Sequence, residues 1–211
     1  MAVVLFASVM GCAKRFHPHQ VPKTKILISN FEMAPGLRDT PKAVRGWWMG
    51  AENIYQNPRS GGYFADRLNA YLPTFPYIKL FSRLDLKYYF APKRKLLQDT
   101  YPHLTDAEVT DLLAQVPNLD YARELGADKV LSGRIVESHM HENRTFHWWK
   151  SVFHVEVRLV DVMSGQVDWE REYRETMRFA SPEFVMEEIA KQVGEDLEKG
   201  YFRPLMLAQG R

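Results

Sequence analysis

The residues best equipped for chemistry are His139, His141 and His147, with Glu137 and Glu142 beside them. Histidines two apart on a strand point the same way, and imidazole with carboxylate is a donor set that suits zinc or copper. The same stretch also reads as a polar hairpin tip, where solvated histidines need no ion. No metal is therefore assigned. Nucleophilic chemistry has less support, since there is no Gly-x-Ser-x-Gly elbow, no phosphate-cradling glycine loop and no His-Glu-x-x-His helix. Glu170 and Glu172 alternate with apolar positions, as a solvated strand face does. Cys12 is the one cysteine, so neither an intrachain disulfide nor a cysteine-built zinc site can form. The expectation is a non-enzymatic protein without a cofactor.

Recognition has better candidates than catalysis. Trp47-Trp48 and Trp148-Trp149 are adjacent pairs, and neighbours on an extended chain point in opposite directions. One of each pair is therefore expected near the surface, where aromatic side chains serve protein interfaces and headgroup belts. With Tyr55 these form the candidate partner-binding set. Lys87 to Lys95 interleaves basic and aromatic residues, suiting either contact with acidic groups or a solvated helix face. The whole chain carries 28 basic and 26 acidic residues for a net charge of +2, a balance without the footprint of a nucleic-acid binder.

The elements that must position these residues follow from periodicity. With 211 residues, 45% of them hydrophobic, the chain has material for one sizeable core. Ile26–Met33 is nearly continuous in apolar residues at its start and predicts a first strand buried on both faces. Residues 34–62, broken by Pro and Gly, read as a long loop. Tyr63–Leu72 has helical spacing closed by Pro73, and Tyr77–Phe81 reads as a short strand. Residues 82–104 resist assignment. Thr105 with Glu108 forms a capping pattern before the stripe Val109, Leu112 and Leu113. Asn118 caps a short helix that Gly126 ends in a left-handed conformation.

Val130–Val136 predicts a central strand. In Val152–Val162 the residues Phe153, Val155, Val157 and Leu159 share the core face, opposite His154, Glu156 and Arg158. Past Ser164-Gly165, Val167, Trp169 and Tyr173 continue the core face, while Asp168, Glu170, Glu172 and Arg174 point away. Keeping both in register requires an odd-length loop or a bulge at Gly165. Ser181-Pro182 starts a final helix whose stripe is Phe184, Val185, Ile189, Val193 and Leu197. The order of elements predicts an α+β fold, a mixed, mainly antiparallel sheet with helices packed on it.

Two resemblances add to this. Met1–Met10 is apolar, too short to cross a bilayer as a helix and of signal-peptide length. With Val9, Met10, Gly11 and Cys12 it resembles the lipobox of bacterial lipoproteins, which implies lipid attachment at Cys12. Without that resemblance, the segment reads as an apolar strand holding a buried thiol. Further on, Ala127, Asp128, Val130, Leu131 and Gly133, followed by Asp161, Ser164, Gly165 and Trp169, resemble the group containing the TolB N-terminal domain, CsgG and LpoB.

That group implies an α/β sandwich and an envelope setting. The expected division is a signal peptide (1–11), a lipidated tether (12–24), a single domain (25–200) and a C-terminal tail (201–211). The expected role is an LpoB-like protein, lipid-anchored in the outer membrane and facing the periplasm, that binds envelope proteins to assemble or regulate a complex. The alternative is an oligomeric component of a secretion or transport machine, with self-association of the chain. No pair of alternating ten-residue segments implies membrane-spanning hairpins.

Overall fold

The computed structural model describes residues 23–34, 44–45, 51–56, 60–72, 78–114, 118–143 and 147–209. The α+β expectation holds. One mixed sheet is built about β6 (Lys129–Asn143), which is paired on both edges. Along one edge, β7 (Trp148–Asp161) runs antiparallel for nearly the full length of β6, and β8 (Val167–Arg178) continues antiparallel from β7. The other edge is shared in succession by β1 (Thr24–Ile28), β2 (Glu32–Met33) and β4 (Ala51–Gln56). β3 (Val44–Arg45) flanks β4, and β5 (Ile78–Leu80) flanks β1 in parallel.

Helices cover the sheet according to its pleat. Ile26, Ile28, Leu131, Phe153, Val155, Val157 and Leu159 face α1 (Ser60–Tyr71) and α5 (Pro182–Leu197), whose Leu68, Val185, Ile189 and Val193 complete the main core. Phe64 is central there, with ring centroids 4.9 Å from Phe31 and 5.1 Å from Phe153. Leu27 and Val130 point the opposite way, toward α2 (Arg83–Thr100) and α4 (Asn118–Leu125), where Leu86, Tyr121 and Ala122 form a second cluster. Burial of β1 on both faces is thus as expected.

Five segments differ from the sequence expectation, each for a physical reason. The strand expected over Ile26–Met33 is two, β1 and β2, parted at residues 29–31, where the Phe31 amide turns to the Gly61 carbonyl at 3.4 Å. Residues 51–56 lie in the stretch expected as loop but form β4, because the polar half of β6 needs a partner on that edge. β6 itself continues past Val136 to Asn143, with a register shift between Ile135 and Glu137. Residues 83–100 form one helix, whose Ser82 and Asp85 cap each other reciprocally. Pro92 reads as a break in sequence, yet it lies on the exposed side, where water can satisfy the carbonyl one turn earlier. Residues 198–202 make a π-helical turn leading into α6 (Arg203–Gln209), and Phe202 enters the core, so this end is more than a tail.

Single residues depart as well. α3 (Asp106–Ala114) has the expected Thr105–Glu108 capping pair, and Val109 is buried, but Leu112 is exposed. Asn118 is the first residue of α4, its side chain accepting from the Tyr121 hydroxyl at 2.6 Å. Of the two devices expected for this hairpin, an odd-length loop or a bulge at Gly165, the connection 162–166 has odd length and the bulge lies at Asp168, since Leu159 faces Trp169 while Val160 faces Val167. Asp168 consequently turns to Lys129 and to the Tyr201 hydroxyl instead of pointing away, and Val167 is left 49% exposed. Phe184 also leaves the core stripe.

The motif residues have structural duties. Asp161 Oδ1 accepts from the amides of Met163 and Ser164 and from the Ser164 hydroxyl, while Oδ2 accepts from Lys129 Nζ at 2.8 Å. Gly165, at φ 71°, completes this turn. Asp128 accepts from the Lys25 amide at 2.7 Å and so ties β6 to β1. At Gly133 a Cβ would lie 1.9 Å from the Glu156 carbonyl oxygen and 2.7 Å from the Phe31 ring.

Two outcomes are expected. Gly133→Ala loses roughly 2–3 kcal/mol in denaturant unfolding, because backbone must shift to admit the methyl. Lys129 and the Ser164 donors hold the Asp161 carboxyl well below the usual range. With the folded pKa below the unfolded one, its stabilisation is complete above about pH 4 and is lost as pH falls through the folded value. Asp161→Asn should therefore lower the melting temperature at pH 7 and flatten its fall below about pH 4 relative to wild type.

Candidate functional site

The chain segments around the start of β7, the end of β8 and the cap of α5 build one surface. Lys150 faces Arg178 in register, and just beyond it the Phe179 amide donates to the Trp149 carbonyl at 2.9 Å. Ser151, fully buried, donates its hydroxyl to the Ala180 carbonyl at 2.7 Å. Ser181 then caps α5, its Oγ accepting from the Phe184 amide at 3.3 Å, with Pro182 in the first helical turn. Each step from strand to helix is thereby pinned, and the site rests on rigid elements.

Three aromatic side chains stand out from this frame. Trp149 is 38% exposed, Phe179 62% and Phe184 51%. The Trp149 and Phe179 rings meet edge to face, with centroids 5.2 Å apart. Beside them an open groove of about 650 Å³ is lined by Met177, Arg178, Phe179, Ala180, Ser181 and Phe184. Phe179 also has a φ of 56°. A bulky side chain in the left-handed region costs roughly 1–2 kcal/mol and is retained where the surroundings over-determine it. Apolar rings held in water on a fixed, strained backbone have the chemistry of a contact surface.

The tryptophan candidates separate accordingly. Trp149 belongs to this surface, and Trp148, on the alternate side of β7, is half-buried. Tyr55 lies on β4 opposite Met140, with its side chain outside the described residues. Trp47, Trp48 and Cys12 lie outside the described residues too. Phe179 and Phe184 are the site residues that sequence reasoning missed. Phe184 sits one position before Val185 and so off the i, i+4 stripe of Val185, Ile189, Val193 and Leu197, a signal present in the spacing.

The histidines are divided. His139 and His141 share one side of β6, with ring centroids 4.4 Å apart, and Glu137 approaches His139 Nε2 at 3.5 Å. His147 lies in the turn before β7 at φ 50°. Among the described residues no three His, Cys, Asp or Glu side chains form a group that could hold a metal. Burial, followed by the neighbouring His141, lowers the His139 pKa, with Lys150 and Arg174 adding to the shift and Glu137 opposing it. The pair sits at the rim of an ionic face spanning β6–β8: Arg134 meets Glu156 at 3.1 Å, Arg158 meets Glu170 at 2.5 Å, Arg174 meets Glu137 at 3.1 Å, and His154 meets Glu172. Those carboxylates are taken up in cross-strand pairs.

No family model and no curated protein matches the sequence. Among solved structures, lipoprotein GNA1162 from Neisseria meningitidis is similar over 84% of this chain and 99% of that one, at 13% identity and a TM-score of 0.51. At that identity the likeness is one of fold, and it agrees with the sheet and helices described above. The PelC dodecamer from Paraburkholderia phytofirmans covers 82% of this chain and 86% of its own at 14% identity and a TM-score of 0.48. The LpoB C-terminal domain from Escherichia coli covers 72% and 82% at 13% identity and a TM-score of 0.35.

If Phe179 is kept for contact at the expense of backbone strain, Phe179→Gly should be nearly neutral to stability. Relief of about 1 kcal/mol of left-handed strain offsets roughly 0.5–1.5 kcal/mol from the lost ring pair. Chemical denaturation is expected to place the variant within about 1 kcal/mol of wild type, whereas a loss above about 3 kcal/mol would make Phe179 a packing residue.

Proposed function

We propose that the chain is a non-enzymatic, lipid-anchored envelope protein that uses the Trp149–Phe179–Phe184 surface to bind another envelope protein and so assemble or regulate a complex. The observation that carries this reading is the exposed aromatic cluster fixed at the sheet end by the Phe179–Trp149 and Ser151–Ala180 hydrogen bonds. Such preorganised aromatics bind at low entropic cost, because little ordering is left to be done. Anchoring rests on the lipobox-like Val9-Met10-Gly11-Cys12 and is supported by the fold shared with a protein described as a lipoprotein. Among the described residues no helix is long and apolar enough to cross a membrane. The lipobox-like segment supports an outer-membrane location facing the periplasm, and the exposed rings suit a partner with an apolar or aromatic patch.

Growth with an alkyne fatty acid tests the anchor: wild type takes up label and Cys12→Ser does not, while equal labelling of both removes the anchor. A photo-crosslinking amino acid at position 184 tests the surface in intact cells. It is expected to yield one discrete adduct with an envelope protein, lost on Trp149→Ala/Phe179→Ala. The same probe at Met163, 85% exposed in the opposite turn, yields none. Matching adducts from both positions would sink the assignment of this surface.

A further inference from the structure

Among the described residues β8 is paired on one edge only, by β7, leaving the other edge of this 12-residue strand without a strand partner, although the Thr176 amide there donates to the neighbouring Glu175 carboxylate at 3.2 Å. Edges of this length are ordinarily blunted by proline, by charged side chains, lysine above all, or by a bulge along the strand. β8 has neither proline nor lysine, its bulge is confined to Asp168 at one end, and its many charges repel a strand unless that strand matches them. From Trp169 to Met177 the sequence reads WEREYRETM, and its charges are complementary about Tyr173. Glu172 and Arg174 flank it, next come Arg171 and Glu175, then Glu170 and Thr176, and last Trp169 and Met177.

We propose that a second copy of this chain adds its β8 antiparallel to this edge, with the two-fold axis at Tyr173, joining the two sheets into one. A two-fold axis normal to the sheet brings residues equally distant from Tyr173 into opposition, each pair on one face. Glu172 then meets the second copy's Arg174 on the ionic face, and Arg171 meets the second copy's Glu175 on the face carrying α5. Trp169 covers Met177 on that same face. By symmetry every pair occurs twice. Moving the axis by one residue sets Glu172 against itself, or Arg174 against itself, and like charges directly opposite destabilise a ladder. The sequence therefore selects one register and one partner, itself.

The side chains are placed for this role. Arg171, Glu172 and Arg174 are exposed, and Trp169, Glu175 and Met177 are partly so. Their contacts within the chain, Arg171 to Asp196, Glu172 to His154, Arg174 to Glu137 and Glu175 to the Thr176 amide, use part of each group's hydrogen-bonding capacity. The exposed Val167 and Phe179 lie just past the two ends of the pairing segment and bring apolar surface to both. This pairing does not depend on the lipid, but Met177 and Phe179 belong also to the Trp149 surface, so a partner seated there would compete with it.

Sedimentation velocity on the purified full chain over a concentration series tests it by charge complementation. Wild type is expected to dimerise, and Arg171→Glu and Glu175→Arg each to weaken association more than about tenfold, through like-charge contacts on both sides of the axis. An equimolar mixture of the two variants is expected to regain the dimer, because the introduced glutamate of one then faces the introduced arginine of the other. If either variant loses its native circular dichroism spectrum, Glu172→Arg and Arg174→Glu form an equivalent complementary set. A wild type that stays monomeric overturns the proposal and leaves the edge to a strand of a different protein. A dimer indifferent to the single changes, or a mixture that fails to recover association, overturns it equally.

Discussion

Both rows of backbone groups along β6 have to be satisfied, and most of the architecture follows from that demand. A 15-residue strand running through the middle of a sheet carries amides and carbonyls on two edges, and leaving buried ones unpaired is costly. β7 supplies one edge in a single piece. No single segment supplies the other, so β1, β2 and β4 are laid along it in sequence, the first two parallel and the third antiparallel. That composite edge draws the N-terminal third of the chain into the sheet. It also places α1 over the core face, where the Ser60 hydroxyl meets that of Ser138 at 2.9 Å in full burial.

Chemistry is distributed over this frame by burial. Around the Asp161 turn and at Tyr173, whose hydroxyl donates to Asp196 at 2.9 Å, polar groups are committed to holding elements together. Burial, reinforced by that carboxylate, pushes the Tyr173 phenol up and keeps it neutral, whereas Lys129, against the pull of burial, is held charged by Asp161 and Asp168. Carboxylates on the ionic face are matched across the strands by arginines and, for Glu172, by His154. What stands outside these commitments at the start of β7 and the end of β8 is the three rings of Trp149, Phe179 and Phe184, with the exposed Arg178 beside them.

The sequence was most legible where periodicity and burial coincide. The alternation from Phe153 to Leu159, the spacing from Val185 to Leu197 and the Thr105–Glu108 cap all appear as read, because one face of each element meets a core or one residue pair closes a local ring. Legibility fell where a distant partner decides. AENIYQ has no alternation to reveal a strand, and becomes one because β6 offers an edge. Residues 82–104 resisted assignment because their charged and aromatic residues interleave without a clear apolar stripe, and α2 is for the most part exposed. Trp149 could be nominated from its doublet, but Phe179 acquires its meaning only from a left-handed backbone and a neighbour far away in sequence. The TolB, CsgG and LpoB resemblance likewise rested on residues that make turns and close approaches, and those specify a fold.

The hydrogen bond between the Lys25 amide and Asp128 spans 103 residues of chain. Loop closure over such distances is slow compared with forming local helices or the β7–β8 hairpin. As the chain is synthesised from its N-terminus, Ile26, Leu27 and Ile28 emerge well before the strand that buries two of them against Leu131 and Val130 exists. Until that strand arrives, those residues are a naked apolar segment, the kind that chaperones hold and that aggregates when unattended. The same topology that seals β1 in the finished protein thus delays commitment of the nascent chain, keeping its leading segment pliant until the second half has been made.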